Sequence, residues 1–153
     1  MNVKNRTEYG KLWFDARKLV TMVERAFERR LQTELGIGTT LYLVLSVVQE
    51  RPGSLNQRDV AELLGTTPAT ISRQLEVGTG SGLLLVKVSH ASRRANDVSL
   101  TAAGVRAVER ADEIIVEESG RLWSSIPDHE ITSATQIIGR ILSAAAAADK
   151  PPS

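Results

Sequence analysis

The feature that most constrains the fold of this chain is a short segment, residues 65–75, with the sequence GTTPATISRQL. It follows directly on an amphipathic stretch at residues 57–64, and only Gly65 and Thr66 separate that stretch from Thr67. Thr67 is a favourable helix N-cap, and Pro68 suits the first helical position because its missing N–H would have no partner there anyway. The segment therefore predicts two short helices joined by a tight glycine turn.

The second of these predicted helices has one apolar and one polar face. Its large apolar side chains are Ile71 and Leu75, four residues apart on one face. The other face carries Thr67, Thr70, Ser72, Arg73 and Gln74. Small hydroxyl side chains allow a helix to enter a major groove, and arginine pairs with a guanine edge or a phosphate. The pattern is typical of a helix-turn-helix that binds DNA, although an ordinary helical hairpin with a solvated face has the same appearance.

A predicted β-hairpin with a basic tip follows. Residues 83–88 are rich in β-forming side chains, residues 89–96 form a polar basic loop, and residues 97–100 form a second short strand. The loop contains Arg93 and Arg94, which suit phosphates or a narrow minor groove. A strand, a basic loop and a strand after a helix-turn-helix predict a wing.

Four segments carry a family resemblance: residues 68–73, Gly82-Leu83, Arg93-Arg94 and residues 98–104. The chain is similar here to the winged helix-turn-helix of multiple-antibiotic-resistance (MarR-type) regulators, most clearly over residues 71–104 and more weakly over residues 8–146. The resemblance implies a homodimeric transcription factor whose DNA binding responds to a ligand. It also implies a ligand pocket where the first helix passes the second.

The chain departs from that family at two places. Ser92 stands where the family usually has an acidic residue, and residues 77–82 are glycine-rich where the family continues its recognition helix. Each glycine inside a helix costs about 1 kcal/mol relative to alanine. We therefore predict that the recognition helix ends or frays near Val77; the alternative is that packing overrides propensity and the helix continues to Ser81.

The remaining helices are predicted from apolar periodicity and capping residues. Asn56 is a predicted N-cap, Thr101 is a second, and Pro127 lies in the first turn of the last helix. The predicted helices outside the motif cover residues 9–35, 39–50, 102–123 and from 127 to about 147. The fold class is mainly α with a small β wing, a winged helix-turn-helix core being flanked by N- and C-terminal dimerisation helices.

The predicted organisation is a single domain of 153 residues. Within it the winged helix-turn-helix occupies residues 36–101, the dimerisation helices residues 1–35 and 102–147, and a flexible tail residues 148–153. The outer helices are apolar enough to need a second subunit, although a purely intramolecular bundle remains an alternative.

Composition excludes several other functions. There is no cysteine, which excludes disulfides and thiolate zinc sites. No histidine, serine and carboxylate pattern indicates catalysis, so we expect neither an enzyme nor a cofactor. The acidic residues beside His129 fit a first helical turn better than a metal site. No apolar run reaches the roughly 20 residues that span a membrane, so a cytoplasmic location is expected.

The net charge of +1 means that any DNA contact must be local. The predicted DNA-binding residues are Gln57, Arg58, Thr67, Ala69, Thr70, Ser72, Arg73, Gln74, Lys87, Arg93 and Arg94. Trp13 and Tyr42 are candidates for binding a small apolar or aromatic effector. The sequence predicts a homodimeric transcriptional regulator that binds a pseudopalindromic DNA site. By the family resemblance, it is expected to be a repressor that a ligand relieves. The alternative is a ligand- or protein-binding dimer of the same fold with weak or lost DNA binding.

Overall fold

The computed structural model describes residues 3–51, 53–88 and 96–148. It is mainly helical with a small antiparallel sheet, which confirms the predicted fold class. The elements in chain order are α1 (Val3–Leu35), α2 (Thr39–Glu50), β1 (Gly53–Leu55), α3 (Gln57–Leu63), α4 (Pro68–Gly80), β2 (Leu84–Val88), β3 (Asn96–Leu100), α5 (Ala102–Trp123) and α6 (Asp128–Ala148).

The sheet has the strand order β1-β3-β2 and is antiparallel throughout. β2 and β3 pair in register with Val86 opposite Val98, and both strands were predicted from the sequence. β1 was not predicted, because residues 51–54 have the composition of a turn. Its three residues become a strand only through pairing with β3, where Gly53 lies opposite Val98.

The hydrophobic core lies in the first part of the chain and is built mainly around α2. Five residues of this helix are buried, which agrees with its strongly apolar sequence. The surrounding elements each contribute at least one buried side chain, among them Leu31, Val60, Ile71, Leu84, Val98 and Ile114. The core thereby fixes α3, α4 and the sheet on one helix.

The N-terminus of α2 is capped by a side chain from α1. Gly38 occupies the N-cap position and has no side chain to offer, so the Thr39 N–H donates to Glu28 Oε2 at 2.6 Å. This backbone hydrogen bond holds the pKa of the Glu28 carboxyl below its ordinary value. The carboxylate also complements the positive end of the α2 dipole. The bond ties the two helices together at their junction.

A network of ion pairs joins the C-terminal half of α1 to α5. Arg30 donates to Glu34 and, at 2.7 Å, to Glu117 Oε2 across the two helices. Arg110 donates to Glu34 and, at 2.7 Å, to Glu113 Oε2. The hydrogen bonds from Arg30 and Arg110 lower the pKa of the Glu34 carboxyl. The network fixes the pairing of α1 with α5, and no local sequence pattern indicated it.

The chain divides into two compact units, Met1–Glu118 and Ser119–Ser153. The first contains α1–α4, the sheet and most of α5, and the second contains the end of α5 and all of α6. The predicted single domain and its internal boundaries stay predictions. The predicted tail lies outside the described residues except for Ala148, which ends α6.

A membrane-spanning helix must have a minimum length and hydropathy, and no described helix meets this requirement alone. α1 and α2 meet it only when taken together, and they are bent by 78° at their junction.

Candidate nucleic-acid interface

The first helix of the predicted motif, α3, begins with a side-chain cap. Asn56 Oδ1 accepts a hydrogen bond from the Arg58 N–H at 3.0 Å, and Asn56 Nδ2 donates to Asp59 Oδ1 at 3.1 Å. The predicted N-cap is therefore present, with Asp59 as its partner in the first turn. Gln57 lies half-buried beside it, whereas Arg58 lies exposed.

A tight turn joins α3 to α4. Gly65 has φ of 62°, a left-handed conformation that glycine adopts without steric cost. The Gly65 N–H donates to the Glu62 carbonyl at 3.2 Å, and the Thr66 N–H donates to the Ala61 carbonyl at 2.8 Å. This pair of bonds is the Schellman motif that ends a helix. The turn sets the direction in which α4 leaves α3.

α4 begins at a threonine cap. Thr67 Oγ1 accepts from the Thr70 N–H at 3.2 Å and lies 2.9 Å from Thr70 Oγ1. Pro68 occupies the first helical position, as predicted. Two of the predicted DNA-binding hydroxyls, those of Thr67 and Thr70, are therefore hydrogen-bonded to each other. A hydroxyl has one donor and two acceptor sites, so each retains capacity for one further partner.

The two faces of α4 are sharply different in exposure. Its buried face is formed by Ile71, Leu75 and Gly78, which anchor it to the core. Its exposed face carries the α4 stripe, defined here as Ala69, Arg73, Glu76 and Val77. Ser72, Gln74 and Thr70 lie half-buried along the edges of this stripe. Arg73 makes no ion pair with any residue that the structure describes.

The prediction that α4 ends near Val77 is wrong, because the helix continues to Gly80. Gly78 is buried in close contact with the side chain of Leu84, and an added Cβ would lie 2.7 Å from Leu84 Cδ1. Packing therefore overrides propensity. The helix then ends in a second Schellman motif: Gly82, at φ 71°, donates to the Thr79 carbonyl, and the Leu83 N–H donates to the Gly78 carbonyl at 2.8 Å.

The wing is described only in its two strands. Lys87 lies exposed on β2, opposite Asp97 of β3 in the strand register. Leu84 and Val98 point into the core on the other face of these strands. The predicted tip residues Arg93 and Arg94 lie outside the described residues, and so do His90 and Ser92.

The candidate effector residue Trp13 lies exposed on α1. Its ring packs edge-to-face on Phe14, with centroids 4.8 Å apart. The exposed fractions of Trp13 and Phe14 are 61% and 65%, so neither is a core residue of the isolated chain. A shallow groove of about 490 Å³ runs past Trp13, Arg17 and Glu24, and α1 alone lines it.

The second candidate effector residue, Tyr42, occupies a different place. Its hydroxyl donates to Asp112 Oδ1 at 2.7 Å, which links α2 to α5. Partial burial of the ring, followed by this hydrogen bond, raises the pKa of the phenol above its ordinary value. The structure does not bring Tyr42 to the groove beside Trp13.

Sequence reasoning did not select Glu76 and Val77 of the α4 stripe. Both side chains are exposed, and they follow Arg73 by three and four residues. The helical repeat alone places such residues on the same face. The signal was therefore available in the sequence, but the predicted end of the helix near Val77 removed the last turn from consideration.

The arrangement of α3, the glycine turn, α4 and the sheet defines a winged helix-turn-helix protein. Two helices meet at a short turn, the second is anchored on one face and open on the other, and an antiparallel hairpin follows it. This is the architecture in which the second helix enters a major groove.

Comparisons with known proteins identify the fold more closely. No family model matches the chain. A transcriptional regulatory protein for the hcr operon of Thauera aromatica is 24% identical over 132 residues, which cover 86% of this chain and 79% of that protein.

The similar solved structures named next are also transcriptional regulators. A MarR-family transcriptional regulator from Rhodococcus sp. RHA1 has a TM-score of 0.77 at 22% identity, covering 87% of this chain and 94% of its own. The regulator MosR of Mycobacterium tuberculosis, solved with DNA, has a TM-score of 0.73 at 23% identity, covering 90% of this chain and 97% of its own. Other structures of this fold hold p-coumaroyl-CoA or salicylic acid.

The protein has the fold of the MarR-family regulators, which confirms the resemblance seen in the sequence. The similar proteins named above are transcriptional regulators rather than enzymes.

Proposed function

We propose that the protein is a sequence-specific DNA-binding transcriptional regulator. In this proposal it acts as a homodimer on a pseudopalindromic site and represses transcription until an effector releases it. The observation that carries the proposal is the position of Arg73. Arg73 forms no ion pair with the residues that the structure describes, and it lies at the middle of an exposed stripe on a capped helix whose opposite face is fixed in the core.

The proposed contacts divide into base reading and phosphate binding. Arg73 pairs with a guanine edge, and the small Ala69 one turn earlier permits close approach. The half-buried side chains of Thr70, Ser72 and Gln74, together with Thr67, meet the groove walls. Phosphate contacts are assigned to Gln57, Arg58, Lys87 and the wing residues Arg93 and Arg94.

A second copy of the chain is the proposed partner of the outer helices. The N-terminal half of α1 exposes Leu12, Trp13, Phe14 and several other large apolar side chains. α6 has no buried residue, and it exposes Ile137, Ile138, Ile141 and Leu142. Apolar surface of this extent marks a protein interface, and a two-fold dimer doubles the contacts that one recognition helix makes.

The proposed effector is a small apolar or aromatic molecule. Two observations support it: solved structures of this fold hold molecules with an aromatic group, salicylic acid in one and p-coumaroyl-CoA in another, and the Trp13–Phe14 pair is exposed on α1. The edge-to-face pair offers an apolar surface on which an aromatic ligand packs. Tyr42 remains the second candidate contact. A role on chromosomal DNA also accords with the predicted cytoplasmic location.

Titration of the protein against DNA from upstream of its own gene tests the proposal. We expect tighter binding to this DNA than to a scrambled duplex, and weaker binding to both at the higher of two salt concentrations. Arg73→Ala should lose about 1–3 kcal/mol of binding free energy on the specific duplex, because the guanine contact is lost. Fluorescence anisotropy with labelled duplexes measures both effects.

Arg29→Ala is the matched control, since Arg29 is an exposed arginine of α1 rather than of α4. It removes the same charge and should change specific binding little. If the parent protein does not distinguish its upstream DNA from the scrambled duplex, the alternative holds: a ligand- or protein-binding dimer that has lost strong DNA binding.

A further inference from the structure

Glu76 is the acidic residue on a helix face that is otherwise suited to DNA. It is exposed, and with Arg73 and Val77 it forms the C-terminal part of the α4 stripe. A helix rises about 1.5 Å per residue, so Glu76 lies about 4.5 Å beyond Arg73 along the axis and about 60° around it. A helix that brings Arg73 to a base edge therefore also brings the carboxylate of Glu76 to the groove.

The carboxylate of Glu76 has no partner in the part of the chain that the structure describes. It forms no hydrogen bond or ion pair with any residue in the described ranges, including Arg73 one turn earlier. By contrast, the acidic residues Glu34, Glu113 and Glu117 are all held by arginines. The Glu76 carboxylate therefore meets whatever docks on the α4 stripe.

The chemistry of the major groove limits what Glu76 can accept there. An ionised carboxylate has acceptors only, and it is repelled by phosphates, by guanine O6 and N7 and by thymine O4. The base edges present two kinds of donor in this groove, the amino groups of cytosine and adenine, and cytosine offers its amino group without a neighbouring N7 acceptor. A cytosine is thus the base that satisfies the carboxylate with the least opposing charge.

We propose that Glu76 is a specificity-determining residue that selects a cytosine within one or two base pairs of the guanine contacted by Arg73. The separation of about 4.5 Å along the helix corresponds to this spacing, since successive base pairs are about 3.4 Å apart. This assignment rests on the proposed function. Glu76 also discriminates against the other bases, because a base without an amino donor leaves the desolvated carboxylate unpaired.

Selection from a randomised duplex library tests the assignment with the full-length protein. The parent should enrich a guanine and a nearby cytosine in each half-site. Glu76→Ala should keep the guanine and reduce the cytosine preference by about tenfold or more. Glu76→Gln should shift that position toward adenine, because glutamine pairs bidentately with adenine N6 and N7.

Glu109→Gln on α5 is the control, since it removes the same charge from another exposed position. It should leave the selected sequence unchanged. If Glu76→Ala and Glu76→Gln select the same sequence as the parent, the assignment is overturned, even when both bind every duplex more tightly. Tighter binding without a change in the selected sequence would show that the Glu76 carboxylate only repels phosphates.

Failure of the proposed function gives a different result. In that case the parent itself enriches no sequence, and the assignment of Glu76 falls with it. Thermal melts of both variants establish that they fold; the side chain is exposed and alanine and glutamine are good helix formers, so folded proteins are expected. Glu76→Gln carries the test by itself if the alanine variant does not fold.

Discussion

At the scale of single residues, Gly104 in the first turn of α5 lies in close contact with the backbone of Leu83. A Cβ at this position would lie 2.1 Å from the carbonyl oxygen of Leu83. The same carbonyl accepts from the Thr101 N–H at 3.0 Å, and Thr101 Oγ1 donates to the Gly82 carbonyl at 2.7 Å. The first turn of α5 is therefore pressed against the loop that follows α4. Glycine is required here for space rather than for its φ.

Gly104→Ala should consequently destabilise the protein. We expect a loss of about 1–3 kcal/mol or more in the free energy of unfolding, because the backbone of Leu83 must move. Gly120→Ala is the control in the same helix, where an added Cβ has no heavy atom within 4 Å. It should stabilise by about 0.5–1 kcal/mol. Urea unfolding at one protein concentration measures both, and equal midpoints would contradict the close contact.

At the scale of elements, the position at which α4 ends depends on the side chains that pack against its last turn. Gly78 is buried against Leu84 and Leu41, with an added Cβ 2.7 Å and 3.3 Å from their Cδ1 atoms. Gly80 lies in the same helix with open space around it and without a positive φ. The two glycines thus have different roles although they look alike in the sequence.

Substitution of each glycine by alanine separates these roles. Gly78→Ala should lower the free energy of unfolding by about 1–3 kcal/mol through overpacking against the buried Leu84. Gly80→Ala should raise it by about 0.5–1 kcal/mol, because only the conformational freedom of the unfolded chain changes. Denaturant titration is again the measurement. A destabilised Gly80→Ala protein would show that the last turn of α4 is not helical.

The elements also show which features could be predicted from the sequence. The caps at Asn56, Thr67 and Thr101 could be predicted, because each is a bond within one helical turn. The end of α4 could not, because it depends on Leu84 and Leu41 packing against Gly78. β1 was missed for a similar reason, since its partner strand lies more than 40 residues later in the chain.

The candidate interface shows the same difference between features set by neighbouring residues and features set by residues far apart in the sequence. Arg73 was identified from helical spacing and lies exposed as expected. The spacing of Glu76 was equally readable, but an incorrect helix end hid it. The bond between Tyr42 and Asp112 spans 70 residues and left no pattern in the sequence. The assignments of Trp13, Tyr42 and the DNA-binding residues stay predictions until variants are measured.

At the scale of the whole molecule, the proposed function needs both a local DNA-binding surface and a dimer. The net charge of +1 is too small for affinity through bulk charge, so binding must depend on a few placed side chains. A single helix of the length of α4, 13 residues, can make only a few base contacts. Two such helices related by a dyad read two half-sites, which is why the proposed homodimer and the proposed palindromic site belong together.

Hydroxyl-radical footprinting on the DNA site enriched by the parent protein tests this central claim most directly. We predict two patches of protection related by a dyad, with centres about one helical turn or roughly 34–36 Å apart. Arg73→Ala, under the same conditions, should lose both patches together, because each half-site depends on one copy of the same arginine. A single unsymmetrical patch, or protection that Arg73→Ala leaves unchanged, would contradict the account.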